Sequence, residues 1–223
     1  MTRLTNALYG IKSDDLRPID RAVLSLFERS CAGRSPSWQT RFRRHVAEYI
    51  QMYLVEAEAF GTGSGTLPSL NAYLPHRVSG GGAEICLDFI EVVIDAELPA
   101  QVLALPAYLN FREAMVLVIS LANDILGYER DLRVGYRMNL VQVLYQERSY
   151  NRGYALFESG LIFQSYVLRV EEQEQLLLKQ MKEARITSKE QNLVTEIIDQ
   201  YKIWIYGYCA WACDNPRFSS VEV

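Results

Sequence analysis

Met115-Val116-Leu117-Val118-Ile119-Ser120-Leu121-Ala122-Asn123-Asp124-Ile125-Leu126-Gly127-Tyr128-Glu129-Arg130-Asp131 is the stretch that decides how this chain reads. A nearly unbroken apolar run gives way to Asn123-Asp124, and Asn123, Gly127 and Asp131 then stand at i, i+4 and i+8. On a helix each four-residue step drifts only about 40°, so the three positions share one face, a turn apart. An amide oxygen and a carboxylate projecting in line can hold a hard cation such as Mg²⁺. The middle rung is glycine and offers no side-chain ligand. Polar groups emerging from so apolar a run are expected where a helix leaves the core for the rim of a cavity; the plainer alternative is polarity facing water.

Working outward, the apolar pattern is helical nearly everywhere. Residues 38–60 read as one amphipathic helix with Phe42, Val46, Tyr49, Ile50 and Tyr53 on a stripe, Ser37 as its N-cap, and the GTGSG run 61–65 ending it. Further helices are expected at 70–78, 83–96, 108–133, 140–159, 161–186 and 189–212, with Ser79-Gly80-Gly81-Gly82, Pro99 and Pro106 as punctuation. No run alternates with period two. The expectation is an all-α chain of roughly seven to nine helices around a common interior, a single domain over 1–223. Glu171-Glu172-Gln173-Glu174 reads as a solvated helix face.

Composition narrows the function. The 223 residues are 49% hydrophobic, enough for a sizeable core. Net charge is −4 with a pI of about 5.4, which argues against nucleic acid as a partner. Apolar runs such as 114–119 fall far short of the roughly 18 residues a bilayer span needs. Met1-Thr2-Arg3-Leu4 has no apolar core of a signal peptide. Cys31, Cys86, Cys209 and Cys213 lack zinc-like spacing and read as buried free thiols, so the expected setting is the reducing cytoplasm.

Two arginines draw attention. Arg77 lies 46 residues before Asn123, just ahead of the glycine run. Arginine beside backbone freed of side chains suits an anion such as diphosphate, which it can grip with two N–H groups. Arg217, in Asp214-Asn215-Pro216-Arg217-Phe218, follows an aromatic-rich helix carrying Trp204, Tyr206, Tyr208 and Trp211; by itself it reads equally as a basic helix cap.

Taken together these places resemble a class I terpene synthase, most like the fungal sesquiterpene cyclases. Pro68-Ser69-Leu70-Asn71-Ala72-Tyr73-Leu74-Pro75-His76-Arg77 is similar to the family's P-S-L-x-x-Y-x-x-x-R run, and the interval to the metal motif is the family's usual one. Leu121-Ala122-Asn123-Asp124-Ile125 resembles the start of N-D-x-x-S-x-x-x-E, Asn139-Leu140-Val141 a following N-L-V, and 204–218 the closing W…W…R-Y signature. The resemblance covers about residue 38 to the C-terminus. It implies an all-α helical barrel that binds farnesyl diphosphate or a similar prenyl diphosphate with Mg²⁺, normally three ions, and acts as a carbon–oxygen lyase that ionises and cyclises it. By resemblance Arg77 is the diphosphate sensor, Gly80 the linker and Gly81 the effector position. Asn123 and Asp131 bind one Mg²⁺, and Arg130 and Arg217 bind diphosphate, with Phe218 in place of tyrosine. Tyr53, Phe89, Trp204, Tyr208 and Trp211 are candidates to line an apolar pocket, where π-faces would stabilise a carbocation; as ordinary core aromatics they need no such role.

The pattern also departs from the family. The aspartate-rich D-D-x-x-D/E motif is expected further upstream of Arg77 than this chain reaches, so the chain reads as lacking the N-terminal part of the barrel. Asp14-Asp15-Leu16-Arg17-Pro18 reads as a loop broken by proline. Gly127 replaces a metal-binding hydroxyl, and Asp131 shortens a glutamate. Losing one strong electrostatic contact costs about 10²–10³ in rate, so this chain alone is expected to cyclise farnesyl diphosphate poorly or not at all. The alternatives are a non-catalytic degenerate cyclase that keeps a prenyl or terpenoid ligand, and an unrelated helical interaction protein.

Overall fold

The computed structural model describes residues 3–11, 15–60, 65–149 and 151–218; the turn expected at 61–64, and Asp14, lie outside them. Every regular element among the described residues is helical: α1 (Arg3–Leu8), α2 (Pro18–Cys31), α3 (Pro36–Phe60), α4 (Leu70–Gly80), α5 (Ala83–Val93), α6 (Ala100–Leu103), α7 (Pro106–Leu126), α8 (Tyr128–Arg133), α9 (Leu140–Arg148), α10 (Arg152–Glu183), α11 (Ser188–Asp214) and a 3₁₀ turn, η1 (Pro216–Phe218). No described helix is long and apolar enough to cross a membrane. The chain forms two compact units, one of Met1–Ser64 with Ser79–Glu97 and one of Gly65–Val78 with Leu98–Val223.

In the first unit the apolar faces of α1, α2 and α3 close on one another. Leu8, Phe27, Cys31, Trp38, Phe42 and Val46 are buried together, with Phe89 and Val92 of α5 against them. Phe42 is the hub: it stacks on Phe27 and Trp38 and takes the edge of Phe89 at 5.2 Å. Beside this core lies a buried polar cluster that sequence reading missed. Arg41 donates to Asp88 at 3.1 Å and Glu91 at 2.6 Å, and His45 Nδ1 meets Asp88 Oδ2 at 2.6 Å. The sequence separations are 47, 50 and 43 residues, beyond the reach of any local pattern.

The second unit is built around α7. This helix is apolar on nearly every side, from Ala107 and Phe111 through Leu121, so it can only be stable when surrounded. α10, α11 and α9 pack on it. α10 contributes Ala155, Val170, Leu177 and Met181, and α11 contributes Val194, Ile197, Tyr201 and Ile205. Arg112 is buried in this core and donates to the hydroxyls of Tyr108 at 3.1 Å and Tyr201 at 3.5 Å.

The helix boundaries correct the sequence reading in several places. α3 starts at Pro36, and the hydroxyl of Ser35, not Ser37, accepts from the Trp38 N–H at 3.2 Å, because proline needs no donor at the first helical position. The stripe on α3 is buried at Phe42 and Val46 but ends exposed at Tyr53. α4 runs on to Gly80, and α5 stops at Val93. The expected helix 108–133 is two helices, broken at Gly127. The expected break near Gly160 is absent: Ser149, in the left-handed region at φ 51°, ends α9, and Asn151 caps α10 by accepting from the Tyr154 N–H at 3.0 Å. A lone glycine costs only about 1 kcal/mol inside a helix of that length. Asp15 is non-helical, as read, and pairs with Arg3; Pro18 then opens α2. Of the four free cysteines only Cys31 is buried, and Cys213 is exposed, because its turn of α11 faces water. Of the acidic cluster on α10, Glu171 and Glu172 are exposed, while Glu174 pairs with Lys202 at 2.6 Å.

Phe111 is wholly buried in the α7 core. Phe111→Ala is expected to lower unfolding free energy by ~3–5 kcal/mol in urea titration, whereas Val93→Ala, at an 83% exposed position, stays within ~0.5 kcal/mol.

Candidate functional site

The site is assembled in the second unit around one buried ion pair. Arg77, on α4, donates to Asp124 Oδ1 at 2.8 Å, to the Ser120 carbonyl at 3.3 Å and to Asn123 Oδ1 at 3.5 Å. Asp124 is fully buried, and its other oxygen accepts from the Tyr73 hydroxyl and from the Leu140 N–H at 3.2 Å. Burial pushes the Asp124 carboxyl above the usual carboxylate range, while Arg77 pulls it back down. The tyrosine of the P-S-L-x-x-Y-x-x-x-R run thus sits one turn below the arginine and holds the same carboxylate.

Asn139 is a second anchor. It is fully buried and caps α9, its Oδ1 accepting from the Val141 N–H at 2.9 Å. Its Nδ2 donates both to the Asp124 carbonyl at 2.8 Å and to Asp131 Oδ2 at 2.9 Å. The sequence signal was an asparagine ahead of an apolar helix start; its reach back to two acidic residues was invisible.

From Asn123 the site continues as a chain of contacts. Asn123 Nδ2 donates to the Tyr208 hydroxyl at 2.6 Å. Tyr208 meets the ring of Phe218 edge-on at 6.5 Å, and Trp211 does so at 5.5 Å. The guanidinium carbons of Arg130 and Arg217 stand 5.0 and 5.9 Å from the centre of that same ring. Burial raises the Tyr208 phenol, and the nearby Asn123, Arg130 and Arg77 counter it. Arg77, Asn123, Arg130, Asp131, Arg217, Tyr208 and Trp211 are therefore brought into one neighbourhood. Trp204 lies one turn earlier on α11, partly buried.

The other positions singled out by sequence fall in the first unit. Gly81 is exposed, between α4 and α5. Phe89 is part of the Phe42 core cluster. Tyr53 is 57% exposed and stacks edge-on with Tyr49 at 5.1 Å. A cleft of about 360 Å³ in the second unit is lined by Asn71, Leu74, Pro75, Val78, Glu113, Leu117 and Tyr166, a set that includes none of the five aromatics.

The metal motif differs from its sequence reading. Gly127 ends α7 at φ −85°, ψ −1°, so Asn123 and Asp131 belong to successive helices, yet the Gly127 N–H still donates to the Asn123 carbonyl at 2.8 Å and the Asp131 N–H to the Gly127 carbonyl at 2.9 Å, which keeps the three positions about a turn apart. Asp131 is buried, and Arg130 donates to its Oδ1 from Nε at 2.8 Å and from Nη2 at 2.6 Å, while Asn139 holds Oδ2. Both carboxylate oxygens are thus engaged, one by a cation. Among the described residues no three histidine, cysteine, aspartate or glutamate side chains cluster as a metal site. As folded, these positions do not fit Mg²⁺.

Asp124→Asn would leave the Arg77 charge buried without its counterion. Stability is expected to fall by ~3–5 kcal/mol in chemical denaturation, and the double change Arg77→Met with Asp124→Leu to fall by clearly less.

A family model described as terpene synthase family 2, C-terminal metal binding, matches residues 2–165. The chain is 24% identical to (2Z,6E)-hedycaryol synthase of Kitasatospora setae, over 97% of this chain and 63% of that protein. It is 26% identical to 7-epi-alpha-eudesmol synthase of Streptomyces viridochromogenes, over 92% of this chain and 60% of that one. The chain thus spans about three fifths of the length of these curated relatives. Among solved structures it is similar to a-eudesmol synthase, with a TM-score of 0.86 at 23% identity over 95% of this chain and 68% of that one. The linalool/nerolidol synthase from Streptomyces clavuligerus gives 0.84 at 18% over 94% and 71%. At such identities the likeness is one of fold, the all-α fold of these synthases.

Proposed function

The chain belongs to terpene synthase family 2, whose C-terminal domain is metal-binding, and on that premise we propose that its protein is a sesquiterpene-type cyclase acting on farnesyl diphosphate. The observation that supports this reading is the convergence of Arg77, Arg130 and Arg217 about Asn123, Tyr208 and Phe218. Three guanidinium groups against two buried carboxylates leave the neighbourhood net positive, which suits a diphosphate. Arg77 is held rigidly by Asp124 and the Ser120 carbonyl, so it costs little reorganisation when the leaving group gains charge. Arg217 is exposed in η1, just beyond α11, where it can approach from solvent. The rings of Tyr208, Trp211 and Phe218 supply π-faces beside the arginines, the kind of surface that steadies a carbocation. Mg²⁺ is the ion we propose for the protein, brought by the diphosphate and held elsewhere than at Asp131, and the cytoplasm is its proposed setting, which the free thiols suit.

A second reading is favoured by one observation, the engagement of both Asp131 oxygens. In that reading the chain binds a prenyl diphosphate without turning it over. A cyclised product in gas chromatography of the purified chain would decide for the first reading over the second.

Trp211 and Trp204 report on binding. Farnesyl diphosphate with Mg²⁺ is expected to change tryptophan emission saturably, and farnesol, which lacks the diphosphate, to bind far more weakly. Arg217→Gln should weaken diphosphate binding ~10–100-fold, the loss of one charge-assisted contact, while leaving the far-ultraviolet circular dichroism unchanged. Equal affinity for the alcohol and the diphosphate would refute a diphosphate site.

A further inference from the structure

The arrangement at Gly127, Arg130 and Asp131 does more than depart from a metal motif. A Cβ on Gly127 would lie 2.6 Å from the Asn123 carbonyl oxygen and 2.7 Å from Arg130 Nη2. No residue with a side chain fits there unless the α7–α8 junction shifts, because the first of these neighbours is backbone. The missing side chain is the space that the Arg130 guanidinium fills. From there Arg130 spends its Nε edge on Asp131 Oδ1 and lays its carbon over the Phe218 ring. A guanidinium carries five N–H donors in a planar fork, and here two nitrogens serve the carboxylate. Among the described residues, no hydrogen bond shown uses the Nη1 donors.

We infer that in this chain the Arg130 guanidinium takes the place of the divalent ion at the Asn123–Asp131 motif, joining the Asp131 carboxylate on one edge to the diphosphate on the other, with Gly127 providing the room. A divalent cation at such a motif neutralises a carboxylate and bridges it to a phosphate oxygen, and an arginine can do both without an ion. Asn139 holds Asp131 Oδ2 and Arg130 takes Oδ1 with two nitrogens, so an approaching divalent ion would meet a carboxylate that already carries a cation. The inference rests on the diphosphate reading of this site.

Calorimetry with inorganic diphosphate, first in EDTA and then in excess Mn²⁺, tests it on the wild-type chain, R130Q and R130Q/D131N. The wild type is expected to bind with an affinity that Mn²⁺ changes by less than about threefold. R130Q should bind ~10-fold or more weakly in EDTA, the loss of a charge-assisted contact, and recover in Mn²⁺ through the carboxylate it has exposed; D131N should abolish that recovery. Wild-type binding that needs Mn²⁺ would overturn the inference, as would R130Q that matches the wild type in EDTA or gains nothing from the ion. Should no protein bind diphosphate under either condition, the functional reading fails instead. Electron paramagnetic resonance of Mn²⁺ with the ligand-free wild-type chain then still decides, and also covers an R130Q that does not fold. The inference expects the free-ion signal to be undiminished; a loss of signal that D131N prevents would refute it.

Discussion

Arg77 and Asp124 have been taken out of water together, and much of the second unit is arranged so that this is tolerable. Burying either charge alone would cost several kcal/mol, and their attraction offsets that only when the remaining lone pairs and donors are met. Asp124 therefore also receives the Tyr73 hydroxyl and the Leu140 N–H, and Arg77 also reaches the Ser120 carbonyl and Asn123. These bonds tie α4, the end of α7 and the start of α9 into one block. Asn123 and Asn139 occupy their positions because that block exists. Arg77 and Asn123 are thus fixed by a buried hydrogen-bond network that joins three helices.

Gly127 sits where that block ends. It separates α7 from α8, and by lacking a side chain it admits Arg130 beside the Asn123 carbonyl. On the proposed reading, a glycine here both withholds a ligand and admits a cation. That pairing gives physical sense to a chain in a metal-binding family whose motif carboxylate is already neutralised. Arg130 and Arg217 also share a single aromatic ring, that of Phe218, with guanidinium carbons 5.0 and 5.9 Å from its centre.

The fold class was legible because a 3.6-residue apolar period over most of the chain leaves no alternative, and α7 was recognisable as a central helix from its apolar run alone. Boundaries were less legible. Ser35 and Ser37, or Gly127 and Gly160, carry equal weight as local signals, and only packing selects which one stops or starts a helix. Arg77, Arg130, Arg217 and Asn123 could be picked out as candidates because they sit in recognisable motifs at a coupled spacing. Tyr73, Asp124 and Asn139 gave no hint of their part, since a buried polar residue takes its meaning from partners that lie up to 51 residues away in sequence. The polar cluster of Arg41, His45, Asp88 and Glu91 escaped notice for the same reason.

The sequence by itself determined that the chain is helical, which stretch is apolar enough to need burial, and which basic and amide side chains stand at motif positions; periodicity, apolar content and residue identity are local properties and can be read along the chain. Only the tertiary structure decided that Asp131 is paired with Arg130, and that Asp124 holds Arg77 in place. The reason is that a carboxylate's counter-charge is chosen by which donor the folded chain brings within about 3 Å, and in a low-dielectric interior that choice outweighs any preference written in the motif.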